Sequence, residues 1–146
     1  MFTLEKAANE ASLMNISNVL FEDAEAMKWL AFYSNSSKWH KTHSSNIFTL
    51  ILKEESNDAG FVELEFSSDG TQVVISFYLA PDFRGKGRAL SFLQSTFAWL
   101  KANSRANVVF AYADVENLRS LRLLDKANFR YETKRENMMC FVTIIN

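Results

Sequence analysis

Pro81-Asp82-Phe83-Arg84-Gly85-Lys86-Gly87-Arg88-Ala89 holds the chain's only proline and two of its four glycines. The stretch stands between a β-branched run ending at Leu79 and a helical pattern, with Leu90, Leu93, Phe97 and Leu100 at i, i+3, i+7 and i+10. A loop of small residues entering a helix presents several unpaired backbone N–H groups beside the positive end of the helix dipole, which makes a site for an anion. Glycine at 85 and 87 lets a pyrophosphate approach the backbone and permits positive φ where the turn requires it. Arg84, Lys86 and Arg88 add side-chain charge. A P-loop needs Gly, four residues, then Gly-Lys-Ser/Thr, and a dinucleotide fold needs Gly-x-Gly-x-x-Gly; neither pattern is present.

Working outward, three strand patterns precede the loop, at 47–53, 60–67 and 71–79. The segments Asn57-Asp58-Ala59-Gly60 and Ser68-Asp69-Gly70 join them as turns, which predicts an antiparallel meander. After the loop come a helix over 87–102, a buried strand over 108–113, a helix over 117–127 and a hairpin of 129–134 with 138–145. Upstream, the spacing predicts a strand over 12–20 and a helix over 21–34. The polar stretch 35–46 carries His40, His43 and Trp39 and reads as a loop or short helix that lines an acceptor site. Strands followed by a βαβαββ order imply an α/β (α+β) domain, a mixed and mostly antiparallel sheet with helices on both faces. With no repeat, low-complexity tract or linker, residues 1–146 read as a single domain.

Composition narrows the function. The 146 residues are 48% hydrophobic and include 13 Phe and 3 Trp, enough for one sizeable core. A mean hydropathy of −0.11, with no long unbroken apolar run, argues against a membrane span. The net charge of −1 supplies no broad basic field for nucleic acid, so the cations at 84–88 form a local anion site. A single cysteine, Cys140, makes no internal disulfide, and no apolar signal core occurs in 1–11, so a cytoplasmic setting is expected. One Cys and two His do not make a zinc framework, and no metal is expected.

Arg84-x-x-Gly87-x-Ala89 resembles the pyrophosphate-binding motif of the GNAT N-acetyltransferases, Gln/Arg-x-x-Gly-x-Gly/Ala between a strand and a helix. Asn117-Leu118-Arg119-Ser120-Leu121-Arg122-Leu123-Leu124-Asp125-Lys126-Ala127-Asn128-Phe129 is similar to that family's Asn-x-x-Ala/Ser-x-x-x-Tyr-x-Lys-x-Gly-Phe helix, with Leu124 at the tyrosine and Asn128 at the glycine. Asparagine is the next best residue after glycine for a left-handed helix end. The resemblance implies the GNAT fold and direct transfer of an acetyl group from acetyl-CoA to a primary amine of a small molecule. The leaning is toward a nucleotide-linked aminosugar. The alternatives are a protein N-terminal acetyltransferase or a non-catalytic acyl-CoA-binding or regulatory module, for which Leu124 is the support. It further implies that Arg84, Gly85, Lys86, Gly87, Arg88 and Ala89 grip the cofactor's phosphates, and that Asn117 and Ser120 face its pantetheine arm or phosphates. A backbone N–H among Phe77, Tyr78 and Leu79 would bind the thioester oxygen. Asn117 reads equally well as a helix N-cap.

The chemistry asks for a base, because an aliphatic amine is roughly 99.9% protonated at neutral pH. Alternation along 61–67 puts Glu63 and Glu65 on one strand face, where they serve as candidate bases or simply as the solvated side of an antiparallel strand. His40 and His43 compete for the same role. Tyr78 and Tyr112 are the substitutes for the phenol missing at 124, or ordinary amphipathic strand residues. An exposed strand edge near the C-terminus leaves a homodimer open.

Overall fold

The computed structural model describes residues 2–6 and 47–145. Seven strands form one sheet: β1 (Phe2–Lys6), β2 (Ile47–Glu54), β3 (Asn57–Phe66), β4 (Gln72–Leu79), β5 (Val108–Asp114), β6 (Arg130–Arg135) and β7 (Met138–Ile144). Their order is β1-β2-β3-β4-β5-β7-β6. Among the described strands, only β4 and β5 pair in parallel. The described residues also form two helices, α1 (Arg88–Asn103) and α2 (Leu118–Lys126), with a 3₁₀ turn at Pro81–Phe83 ahead of α1. The strand expected at 12–20, the helix at 21–34 and the histidine-bearing stretch 35–46 lie outside the described residues. The strand that pairs with β2 at the sheet's edge is Phe2–Lys6, which the residue pattern does not predict.

Both described helices cover the same sheet face. Leu50, Leu52, Val62, Leu64, Ile75, Leu79, Val109 and Ala111 share one cluster with Phe92, Leu93 and Leu100 of α1 and Leu124 of α2. The α1 stripe expected from sequence holds in part. Leu93 and Leu100 are buried, Leu90 and Phe97 pack half-buried on the cluster, and fully buried Phe92 belongs to the face as well. Helix α2 ends in a Schellman motif, with the Phe129 N–H donating to the Leu124 carbonyl at 2.9 Å and the Asn128 N–H to the Asp125 carbonyl at 3.1 Å. Asn128 has φ 66°, the left-handed conformation expected at that position.

The β2–β3 connection departs from expectation. Asn57, Asp58, Ala59 and Gly60 lie within β3, and the turn is Glu55–Ser56, both at positive φ (50° and 74°). Gly60 has a different job from turning the chain: a Cβ built there collides with the Tyr78 carbonyl oxygen on β4. Only glycine lets β3 run this close to the end of β4. The second turn is as expected, organised by Asp69. Its Oδ1 accepts from the Ser67 hydroxyl (2.8 Å), the Thr71 hydroxyl (2.7 Å) and the Thr71 N–H (3.1 Å). Those donors hold its carboxyl at about 2, led by the Thr71 hydroxyl.

Two outcomes follow from these turns. Gly60→Ala is expected to cost about 2 kcal/mol, in the range of over-packing penalties, as read by urea unfolding. Because the folded-state value of Asp69 is depressed, its contribution is complete above the ordinary carboxyl range and is lost as pH falls toward 2. The melting temperature of Asp69→Asn should therefore lie below wild type at pH 6 and converge with it near pH 2.

Candidate active site

Strands β4 and β5 stay paired from Gln72↔Val108 to Ile75↔Ala111 and no further, although β4 runs on to Leu79 and β5 to Asp114. The sheet therefore opens between their C-terminal ends. The Ala80 N–H donates to the Ala59 carbonyl at 2.8 Å, which turns the even-numbered backbone groups at this end of β4 toward β3. Alternation then directs the N–H groups of Phe77 and Leu79 into the opening, past the last paired residues. The Leu79 carbonyl, on the same side, accepts from Arg84 Nε at 2.7 Å. The Arg84 guanidinium also lies 5.7 Å from the centre of the Tyr78 ring. Arg84 thus closes the end of the opened strand, a role that its place in the motif did not reveal.

Directly after Arg84 the chain turns left-handed three times, at Gly85 (φ 93°), Lys86 (56°) and Gly87 (74°), before α1 begins. An added Cβ at Gly85 or Gly87 would meet open space, so the conformation, not crowding, demands glycine. Arg84 N–H donates to Pro81 and Arg88 N–H to Gly85, at 3.2 and 3.1 Å. The N–H groups of Gly85, Lys86, Gly87, Ala89 and Leu90 have no acceptor among the described residues. Arg88 is thus a correction to the expected run of amides from 85 to 89, since its N–H closes the turn, and Leu90 extends the set. The three cations also differ. Arg84 is engaged as above, Arg88 Nη1 pairs with Glu54 Oε2 at 3.1 Å, and Lys86 has no partner among the described residues.

Asn117 caps α2, its Oδ1 accepting from the Ser120 N–H at 3.3 Å. The cap reading of Asn117 is therefore realised, and its amide N–H₂ group remains available for a second contact. Leu118, Leu121 and Leu124 recur every three residues along α2, but Leu124 is 1% exposed, Leu121 half-buried and Leu118 60% exposed, because a three-residue step drifts around a 3.6-residue helix.

The opposite face of the sheet carries the titratable candidates. In register, Thr49, Glu63 and Ser76 form one row across β2, β3 and β4, and Tyr112, Cys140 and Thr133 form a row across β5, β7 and β6. Extending the β4–β5 register by one step sets Ser76 level with Tyr112, so the two rows face each other across the opening. Glu63 is half-buried and Glu65 exposed; Phe61, on their face, is fully buried. That face is therefore not simply solvated. Tyr78 is 3% exposed, its ring 5.7 Å from that of Phe61. Tyr112 is 53% exposed and lines a cavity of about 500 Å³ with Thr133, Arg135, Glu136, Met138 and Cys140. Partial burial of its hydroxyl, its hydrogen bond with Cys140 and the negative charges of Glu132 and Glu65 push the phenol above its ordinary value. His40 and His43 lie outside the described residues. No group of metal-ligating side chains occurs among the described residues.

The match of a family model decides what this arrangement belongs to: residues 2–130 fit the acetyltransferase (GNAT) domain. The chain belongs to the GNAT acetyltransferase family. No curated protein matches it. Solved structures of the same fold include a spermidine N-acetyltransferase from Vibrio cholerae in complex with CoA and spermine, at TM-score 0.81, 17% identity, 99% of this chain and 95% of that one. An aminoglycoside acetyltransferase in complex with coenzyme A and kanamycin gives TM-score 0.81 and 17% identity over the same shares. A ribosomal L7/L12 alpha-N-protein acetyltransferase in complex with coenzyme A gives 0.81 and 13%, over 99% and 94%. The GNAT acetyltransferase fold is thus the seven-stranded, opened sheet seen here.

Removing the Arg84 side chain leaves the Leu79 carbonyl without its charged donor. Arg84→Met is expected to lower stability by about 1–3 kcal/mol. Arg84→Lys should recover part of this, with chemical denaturation as the measurement.

Proposed function

We propose that this protein transfers an acetyl group from acetyl-CoA to the primary amine of a small cationic molecule by direct attack, with no acyl-enzyme. The unpaired N–H groups of Gly85, Lys86, Gly87, Ala89 and Leu90 carry the reading. Five donors without an acceptor among the described residues, in a left-handed turn at a helix N-terminus, suit a diphosphate, and Lys86 adds a charge with no partner among the described residues. Acetyl-CoA supplies the activated thioester. The N–H groups of Phe77 and Leu79, aimed into the opening, polarise its carbonyl and stabilise negative charge on that oxygen. The Asn117 amide and Ser120 line the approach of the pantetheine arm.

Glu63 takes the ammonium proton, directly or through water, so that the amine's lone pair can form the C–N bond as the C–S bond breaks. Tyr112, on the row across the opening, donates a hydrogen bond to the departing thiolate and takes the place of the phenol missing at Leu124. Two strand spacings separate Glu63 on β3 from Tyr112 on β5, roughly 10 Å, room for an amine and a thioester between them. The raised value of Tyr112 keeps its proton in place across the working range. Buried Tyr78, packed between Phe61 and Arg84, serves better as a wall of this face than as an acid.

Arg135 and Glu136 line the same cavity, and the charges of Glu65 and Glu132, both negative, also reach the Tyr112 hydroxyl. These last two attract an ammonium acceptor and repel a diphosphate, which moves the preference from a nucleotide-linked aminosugar to a polyamine-like or polycationic amine. The test is incubation with acetyl-CoA and a panel of polyamines, aminoglycosides, nucleotide-linked aminosugars and N-terminal peptides, following thiol release and product mass. Acetylation of the cationic amines supports the reading. CoA binding without transfer to any member would establish instead a binding module. Tyr112→Phe is expected to lower kcat by about 10- to 100-fold with little change in CoA affinity. The wild-type rate should show no loss from phenol ionisation below about pH 10.

A further inference from the structure

We propose that Glu54 sets the protein's affinity for the cofactor by competing with the diphosphate for Arg88 and for the positive pole of α1. This rests on the reading of residues 85–90 as the diphosphate site. Arg88 is the first residue of α1, so a guanidinium stands at the positive end of the helix dipole, where a cation is disfavoured. The first turn of α1 contains no acidic residue and its N-cap, Gly87, offers no side-chain acceptor. The compensating charge arrives from a different element. Glu54, at the end of β2, places Oε2 3.1 Å from Arg88 Nη1, across 34 residues of sequence.

The sheet makes this meeting obligatory. Register pairs Glu54 with Asn57 across the Glu55–Ser56 turn and Gly60 with Leu79, and the Ala80 N–H is bonded to Ala59. The tip of the β2–β3 hairpin therefore stands beside the end of β4 and the left-handed loop that follows it. Among the described residues, Glu54 is the anion nearest in role to a phosphate: a carboxylate seated at a helix start that has donors without a described acceptor and a basic residue. The contact is a single Nη1–Oε2 pair, not a two-pronged fork, between side chains 36% and 20% exposed. Such a pair adds little to folding and rearranges readily. A diphosphate on the neighbouring amides either draws Arg88 away from Glu54 or lies beside its negative charge. In both cases the carboxylate opposes binding and favours release of the product CoA.

Calorimetric titration of CoA into wild type, Glu54→Gln and Glu54→Lys, at low and high ionic strength, tests this, with pantetheine as the ligand that lacks the diphosphate. Glu54→Gln should bind CoA tighter, on the order of three- to tenfold, as one partly screened charge requires. Glu54→Lys should bind tighter still, and added salt should shrink both gains. Pantetheine affinity and the melting temperature of the ligand-free variants should stay near wild type. Unchanged or weaker CoA binding in the variants, or an equal gain for pantetheine, overturns the role of Glu54 while leaving the assigned function standing. A wild-type protein that binds no CoA overturns both.

Discussion

A β-strand carries its hydrogen-bonding groups on both edges, and they must be satisfied or left facing something that will satisfy them. In this protein the parallel ladder between β4 and β5 stops at Ile75 and Ala111 while both strands continue. The proposed site is arranged around the groups released there. The Leu79 carbonyl is satisfied internally, by Arg84. The N–H groups of Phe77 and Leu79 point into the opening, available to a carbonyl oxygen. The opening is held from the other side by Gly60, the one residue type that allows β3 to stay tight against Tyr78 as β4 leaves β5.

The turn after β4 continues the same logic. Three consecutive positive φ values lead into α1 with five N–H groups unpaired among the described residues. The proposed thioester donors and the proposed phosphate donors thus belong to one continuous stretch of backbone, Phe77 to Leu90. A ligand gripped at its phosphates by the second half is presented to the first half at a fixed distance, which is positioning rather than chemistry. The charged side chains in this stretch have separate duties. Of its three cations, Arg84 completes the strand end, Arg88 answers Glu54, and Lys86 has no partner among the described residues.

The opposite face of the sheet carries the proposed base and acid, and no local sequence signal shows that they meet. Glu63 and Tyr112 are 49 positions apart in the chain, yet register puts them on level rows on either side of the opening. Tyr112 is next to Cys140 across β5 and β7, and the acidic side chains of Glu65 and Glu132 reach it from strands on both sides. Leu124 is part of the hydrophobic core, so the second helix contributes packing and an N-cap but no phenol.

Much of this was legible from residue order alone, where the determining physics is local. The glycines at 85 and 87, the capping Asn117, the left-handed Asn128, the Asp69 turn and the alternating strands each follow from the backbone preferences of a few neighbouring residues. The misreadings have a common cause. Gly60 reads as a turn residue in sequence because its real constraint is the Tyr78 carbonyl on the next strand, and Phe2–Lys6 carries no strand signal of its own because five residues become a strand only when β2 is there to pair with them. Arg84 and Arg88 looked alike as cations. Tertiary structure alone decided that one would bond Leu79 and the other Glu54, and that Glu63 and Tyr112 would face one another, because strand register and the point where a ladder ends are properties of paired chains and not of any single segment.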